Sequence, residues 1–266
     1  MINFITSAGP YGNVLQTVVR PIRKHLESNE SSSYIPGALN VALFTTLKAE
    51  VFHHHGCSDK NYIGRNLGFK HFLVSGPTMQ NKLKMMGYEN VHVVGWSRLD
   101  PLVDLKKRPG FRVLYAPTHN AIHQVSLMGK FDPYLDRFPC EVVKSYHPAR
   151  KDDLSTTDQA LVDADVVISD SSTMIYEAWA LGKPVVFCDW LVGNGVKTCF
   201  RGSMEAAIYE HQIGLHANSF EEVLDLIHGE IDDKVKGFME QVFPSELRGH
   251  SGEAAAKVLL ELSALR

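Results

Sequence analysis

The chain has 266 residues, 44% of them apolar and 21% charged, a balance that lets it bury a substantial core. This excludes a disordered tail, a collagenous chain and a disulfide-stapled miniprotein, and the length suits two compact α/β lobes of about 100–150 residues each. Lys+Arg 27 against Asp+Glu 30 leaves a formal charge of −3, which gives no electrostatic case for nucleic-acid binding. The four cysteines, Cys57, Cys140, Cys188 and Cys199, are scattered and form no C-x-x-C pair, so a zinc ribbon or redox motif is not expected and a reducing compartment is. The first residues carry no basic segment ahead of a long apolar run, and no stretch approaches the ~20 apolar residues of a membrane helix. A cytoplasmic protein without a transmembrane segment is expected, with peripheral membrane contact left open.

In chain order, short β-rich runs alternate with helical patterns, which predicts parallel βα units. Ile2–Thr6 reads as a strand, Gly9-Pro10-Tyr11-Gly12 as a turn and Val14–Leu26 as a helix, while Glu30–Ser33 reads as a loop. Strands are predicted at Val41–Thr45, Val51–His55, Phe72–Ser75 and Val91–Val94, with a helix at Met79–Met86. The polar stretch Asp104–Gly110 reads as a linker. Beyond it, strands are predicted at Phe111–Tyr115, Glu141–Ser145, Val166–Ser169 and Pro184–Cys188, and helices at Asp158–Val162 and Met174–Leu181. Four more helical patterns follow, at Met204–Tyr209, Phe220–Ile227, Val235–Phe243 and Ala254–Leu265. The expected organisation is two Rossmann-like lobes with parallel sheets, residues 1–104 and 111–266, with a cleft between them. The final helix is expected to return to the first lobe. Ligands of such sheets sit beyond the carboxyl ends of the strands, so residues just after strands are the candidates.

The sharpest local feature is Ser169-Asp-Ser-Ser-Thr173, a buried strand running into a helix. Ser171, Ser172 and Thr173 fall where amides are unpaired and the helix dipole is positive, a combination suited to a diphosphate; it also matches an ordinary helix cap. Glu177, about one turn on, offers a carboxylate to ribose hydroxyls. Thirteen histidines are present, three of them consecutive. On a strand His53 and His55 share a face and His54 opposes them, so three consecutive imidazoles do not chelate one metal. His55, last before Gly56, is placed to take a proton from an attacking hydroxyl, whereas His53 and His54 read as packed or surface residues. His147-Pro148 follows another strand and offers a donor to a phosphate oxygen. Arg98, in Gly95-Trp-Ser-Arg-Leu-Asp100, suits an acid, a phosphate or simply Asp100. Thr118 and its neighbour His119 follow a strand and join the candidate diphosphate contacts. Neither G-x-G-x-x-G nor G-x-x-x-x-G-K-[ST] occurs.

In order, His55-Gly56, Gly95-x-x-Arg98-x-Asp100, Leu114-Tyr-Ala-Pro-Thr118, His147-Pro148, Ser169-Asp-x-Ser-Thr173 with Gly182-Lys-Pro184, and Gly249-x-Ser251-Gly252 resemble the CDP-glycerol glycerophosphotransferases. These are teichoic-acid polymerase and primase enzymes of GT-B architecture. The resemblance runs from about Val51 to the end. It implies transfer of a phosphopolyol, most simply glycerol phosphate, from a CDP-linked donor to the hydroxyl of a glycan, polyol-phosphate or lipid-linked acceptor. It implies His55 as general base, His147 at the donor's diphosphate, and Ser171, Ser172, Thr173, Arg98 and Thr118 as further diphosphate contacts. Glu177 then falls at the ribose, and the scheme asks for no metal or other cofactor. The Asp-Ser-x-x…Glu pattern is also similar to UDP-sugar enzymes of the same architecture, including 2-epimerases, which carry glycines where Ser172 and Thr173 stand. A non-catalytic nucleotide-binding domain is a further alternative.

Overall fold

The computed structural model describes residues 1–6, 12–44, 47–54, 56–60, 67–119, 124–146 and 155–266, with the backbone alone at 12–14 and 155–156. The chain divides into two units: Met1–Cys57 with Gly64–Asp104 and Glu240–Arg266, and Ser58–Ile63 with Leu105–Met239. Two segments therefore group differently from a single cut at 104–111: Ser58–Ile63 goes to the second unit and Glu240–Arg266 to the first.

In the first unit, β1 (Ile2–Ile5), β2 (Ser28–Ser31), β3 (Leu39–Ala42), β4 (Val51–His53), β5 (His71–Val74) and β6 (Val91–Val93) form a parallel sheet in the order β2-β1-β3-β4-β5-β6. β2 overturns the loop expected at Glu30–Ser33. It is an edge strand held by its backbone, with no buried apolar side chain to advertise it. Helix α1 (Gly12–Arg23) lays Leu15, Val18, Val19 and Ile22 on the sheet; α2 (Pro77–Met85) links β5 to β6.

In the second unit, β7 (Arg112–Tyr115), β8 (Glu141–Lys144), β9 (Val166–Ser169), β10 (Val185–Cys188) and β11 (Leu215–Ala217) form a parallel sheet in the order β11-β10-β9-β7-β8. Its helices are α3 (Ser155–Asp163), α4 (Met174–Ala180), α5 (Asn194–Cys199), α6 (Met204–Glu210) and α7 (Phe220–Leu226). β9 and β10 are buried on both faces, which is why they read as unbroken apolar runs. Next come α8 (Asp233–Val242) and α9 (Ser251–Ala264), the latter packing Ala255, Ala256 and Leu259 into the core of the first unit against α1. Among the described residues no helix is long and apolar enough to cross a membrane.

The α9 seat joins two sequence motifs whose bonded residues are 151 and 152 positions apart. The Asp100 carboxylate accepts the N–H groups of Ser251 at 3.1 Å and Gly252 at 2.6 Å, capping the open start of α9. Gly95 has φ +78°, and a Cβ there would lie 2.2 Å from the Ser251 hydroxyl. A Cβ on Gly252 would lie 2.7 Å from the Pro21 carbonyl carbon of α1. Gly95-x-x-x-x-Asp100 and Ser251-Gly252 thus form one packed junction.

Candidate functional site

The second sheet, read from β8, runs β8-β7-β9-β10-β11, so the chain steps outward from β7 to β8 and then returns to the other side of β7 as β9. The strand order reverses between β7 and β9. In open parallel sheets that reversal leaves a crevice beyond the carboxyl ends, where ligands bind. Thr118 follows β7 and Ser169–Thr173 closes β9, so the two candidate segments flank the reversal.

Asp170 ties them together. It is fully buried, and its carboxylate accepts the N–H of Thr118 at 2.9 and 3.1 Å, of Leu127 at 2.8 Å and of Ser171 at 2.5 Å. Burial pushes its carboxyl up to about 6, against the opposing pull of these three amides and the Lys60 charge. The Asp170 carbonyl accepts the Tyr209 hydroxyl at 3.0 Å, and the Ser169 hydroxyl donates to the Ala116 carbonyl at 2.7 Å. The loops after β7 and β9 are therefore fastened by buried hydrogen bonds, the costly kind to break.

Above this anchor the chain turns through Ser171, Ser172 and Thr173 into α4. Ser171 is fully buried, and its hydroxyl has no hydrogen-bond partner among the described residues. The Ser172 hydroxyl accepts the Met174 N–H at 3.2 Å, as a local cap, while its side chain and that of Thr173 stay partly exposed. Helix α4 has seven residues, too few for a large axial dipole, so the anion-binding capacity of this turn rests on its hydroxyls and nearby charge rather than on the helix. Glu177 lies in the first turn of α4 at 3% exposure. Behind it the Tyr176 hydroxyl donates to Glu205 of α6 at 2.9 Å.

Arg98 belongs to the first unit, in a single 3-10 turn, Ser97–Leu99, after the outer strand β6. That turn docks on α1 through the Ser97 hydroxyl, which donates to the Val18 carbonyl at 2.7 Å. Asp100 is engaged by α9. His119 follows Thr118 and is partly exposed. His53 and His54 are buried at 1% and 3%; β4 ends at His53, whose Nδ1 lies 2.8 Å from the His54 carbonyl oxygen. His55 and His147 lie outside the described residues, as does the Gly9–Tyr11 part of the first turn. Among the described residues no group of His, Cys, Asp and Glu has the arrangement of a metal site.

A cavity of about 440 Å³ in the second unit is lined by Phe111, Asp165, Pro184 and His228, among others. Phe111, Asp165 and Pro184 immediately precede β7, β9 and β10. It opens at the amino ends of the strands, opposite the Asp170 anchor.

Three contributors escape a sequence reading. Asp170 looks like one more polar residue in a serine-rich turn, although its place at a strand end is a usable signal. Asp59 and Lys60 look like loop residues, yet Asp59 Oδ1 accepts the buried Met204 N–H at 2.8 Å and the Lys60 ammonium donates to the Ser171 carbonyl.

No family model matches the chain, and no curated protein matches it by sequence. Solved structures do. A variant of the wall teichoic acid polymerase TagF superposes with a TM-score of 0.63 at 12% identity, covering 99% of this chain and 89% of that one. TagF itself gives 0.61 at 11% over 99% and 89%. A TagF variant soaked with CDPG gives 0.59 at 10% over 99% and 88%. The identities are low and the coverage is nearly complete, so what this chain shares with those structures is a fold: two parallel α/β sheets of the GT-B type, spanning the described chain from end to end.

Proposed function

We propose that the protein is a transferase that takes a nucleoside-diphosphate-linked donor, CDP-glycerol being the simplest, and passes its phosphopolyol to an acceptor hydroxyl. The observation that carries this reading is the Asp170-anchored Ser171-Ser172-Thr173 turn at the strand-order reversal of the second sheet. The fold shared with TagF, and the CDPG soaked into one such structure, support the choice of donor.

In the reaction, the acceptor oxygen attacks the β-phosphorus while His55 takes the hydroxyl proton. The bond from the β-phosphorus to the bridging oxygen breaks, and CMP leaves with that oxygen and its electron pair. General-base assistance of this kind contributes about 10²–10⁴-fold. Ser172, Thr173 and His147 stabilise the charge growing on the diphosphate, a preorganised electrostatic role. Thr118 helps by position, its amide holding Asp170 in place. Glu177 is assigned to the ribose and Arg98 to the donor phosphate.

A donor screen tests this. CMP release is expected from CDP-glycerol or CDP-ribitol in the presence of a polyol-phosphate or lipid-linked acceptor, and no release of UDP or UMP from UDP-sugars. UDP release or epimerisation would replace the reading with a sugar-nucleotide enzyme, and binding without turnover of any donor would reduce it to a binding domain. His55→Ala should abolish transfer while leaving donor affinity within about twofold, since a base contributes to the barrier and not to ground-state binding. Full activity in that variant would remove His55 from the mechanism.

A further inference from the structure

Five residues after His55, the chain carries a lysine in a seat of its own. Ser58–Ile63 belongs to the second unit, and Asp59, 1% exposed, fixes it by accepting the Met204 N–H at the start of α6. The neighbouring open N–H, that of Ala206, is taken by the Ser203 hydroxyl at 3.1 Å. With Asp59 locked, Lys60 reaches to the reversal point: its ammonium donates to the Ser171 carbonyl, and its Nζ lies 5.2 Å from the centre of the Phe200 ring.

A diphosphate brings negative charge to three hydroxyl residues that carry none, above a buried Asp170 carboxylate that repels it. A seven-residue helix offsets little of this. The Lys60 ammonium acts on the same spot, and it is one of the influences that pull Asp170 toward its charged form. An ammonium has three N–H donors. Among the described residues the Ser171 carbonyl takes one, and the side chain is partly exposed, so the ammonium can also face a ligand.

We propose that Lys60 is a donor-binding residue, its ammonium pairing with a diphosphate oxygen at the Ser171–Thr173 turn while it stays fastened to the Ser171 carbonyl. The proposal rests on the donor reading above and adds the residue that supplies its counter-charge.

The test is calorimetric titration of the full chain with CDP, UDP, inorganic pyrophosphate and uncharged cytidine, for wild type, Lys60→Met and Lys60→Gln. The glutamine variant keeps a donor for the Ser171 carbonyl and removes only the charge. Both variants should bind CDP and pyrophosphate about 10- to 100-fold more weakly, the loss typical of one charge-assisted hydrogen bond, and cytidine unchanged. The dependence of CDP affinity on salt should also flatten. Wild-type affinity for CDP and pyrophosphate in the glutamine variant would overturn the proposal and leave Lys60 a fastener of the turn. If wild type binds UDP and pyrophosphate but not CDP, the CDP donor reading fails, and Lys60 is judged on UDP. If wild type binds none of the three phosphates, both readings fall.

Discussion

Gly252 stands in the first turn of α9, where alanine would ordinarily strengthen a helix by up to about 1 kcal/mol. The packing reverses that sign. An alanine Cβ would lie 2.7 Å from the Pro21 carbonyl carbon, 2.8 Å from the Pro21 oxygen and 3.0 Å from Asp100 Oδ2, where ordinary contact begins at 3.4 Å. Two of these three atoms are backbone of α1, so no side chain can rotate away. Relief requires α9 to back off by roughly 0.7 Å, a shift of the overpacking kind that costs about 1–3 kcal/mol. The same shift lengthens the 2.6 Å bond from the Gly252 N–H to the Asp100 carboxylate, a charge-assisted contact of about 1.5–3 kcal/mol, part of which is lost. The net expectation for Gly252→Ala is a loss of about 2–4 kcal/mol, read as a lowered midpoint in urea at unchanged slope. Gly237, in α8, is the internal control: nothing lies within 4 Å of its would-be Cβ, so Gly237→Ala should gain about 0.5–1 kcal/mol from helix propensity alone. Should Gly252→Ala prove as stable as wild type, the close approach of α9 to α1 is not what the native state contains.

Two pH experiments follow from titratable groups that folding removes wholly or partly from water. Asp170 holds its proton to about 6 in the folded chain against 3.8 in the unfolded one, so its contribution to stability declines as pH rises across that window, by about 3 kcal/mol at full span. Asp170→Asn removes the titration, so urea midpoints at pH 4 and 7 should show the variant gaining on wild type as pH rises; parallel shifts of the two proteins would contradict the burial of a charged Asp170. On β5 and β6, His71 and His92 have ring centres 5.9 Å apart, and burial holds both below the usual imidazole value, with mutual repulsion and Lys70 adding to the effect at His71 and Glu261 opposing it at His92. A depressed folded value means that the unfolded chain takes the proton first, so stability is full above the unfolded value of 6.5 and is lost as pH falls below it. His71→Gln should melt with a smaller drop in Tm between pH 7.5 and 5.5 than wild type, and an equal drop would acquit the pair.

The apolar periodicity of the chain by itself determined the class of fold. β9 and β10 lie within a residue of where unbroken runs of Val, Ile and Phe put them, because strands buried on both faces must be apolar throughout. The same physics made β2 and β11 illegible: an edge strand such as Ser28–Ser31 is held by backbone hydrogen bonds that any side chain permits. For the candidate site, the sequence pointed to the Ser171–Thr173 turn, because hydroxyl residues after a strand end suit an anion, a pattern shared with ordinary helix caps. It could not say that Asp170 binds the loops after β7 and β9, that Asp100 serves α9, or that Lys60 bonds the Ser171 carbonyl. Those are contacts between residues 52, 151 and 111 positions apart. Local propensity carries no record of such pairings. They are decided by tertiary packing: for Asp170 the sheet order makes the ends of β7 and β9 neighbours, and the burial of its charge then draws amides of both loops toward it.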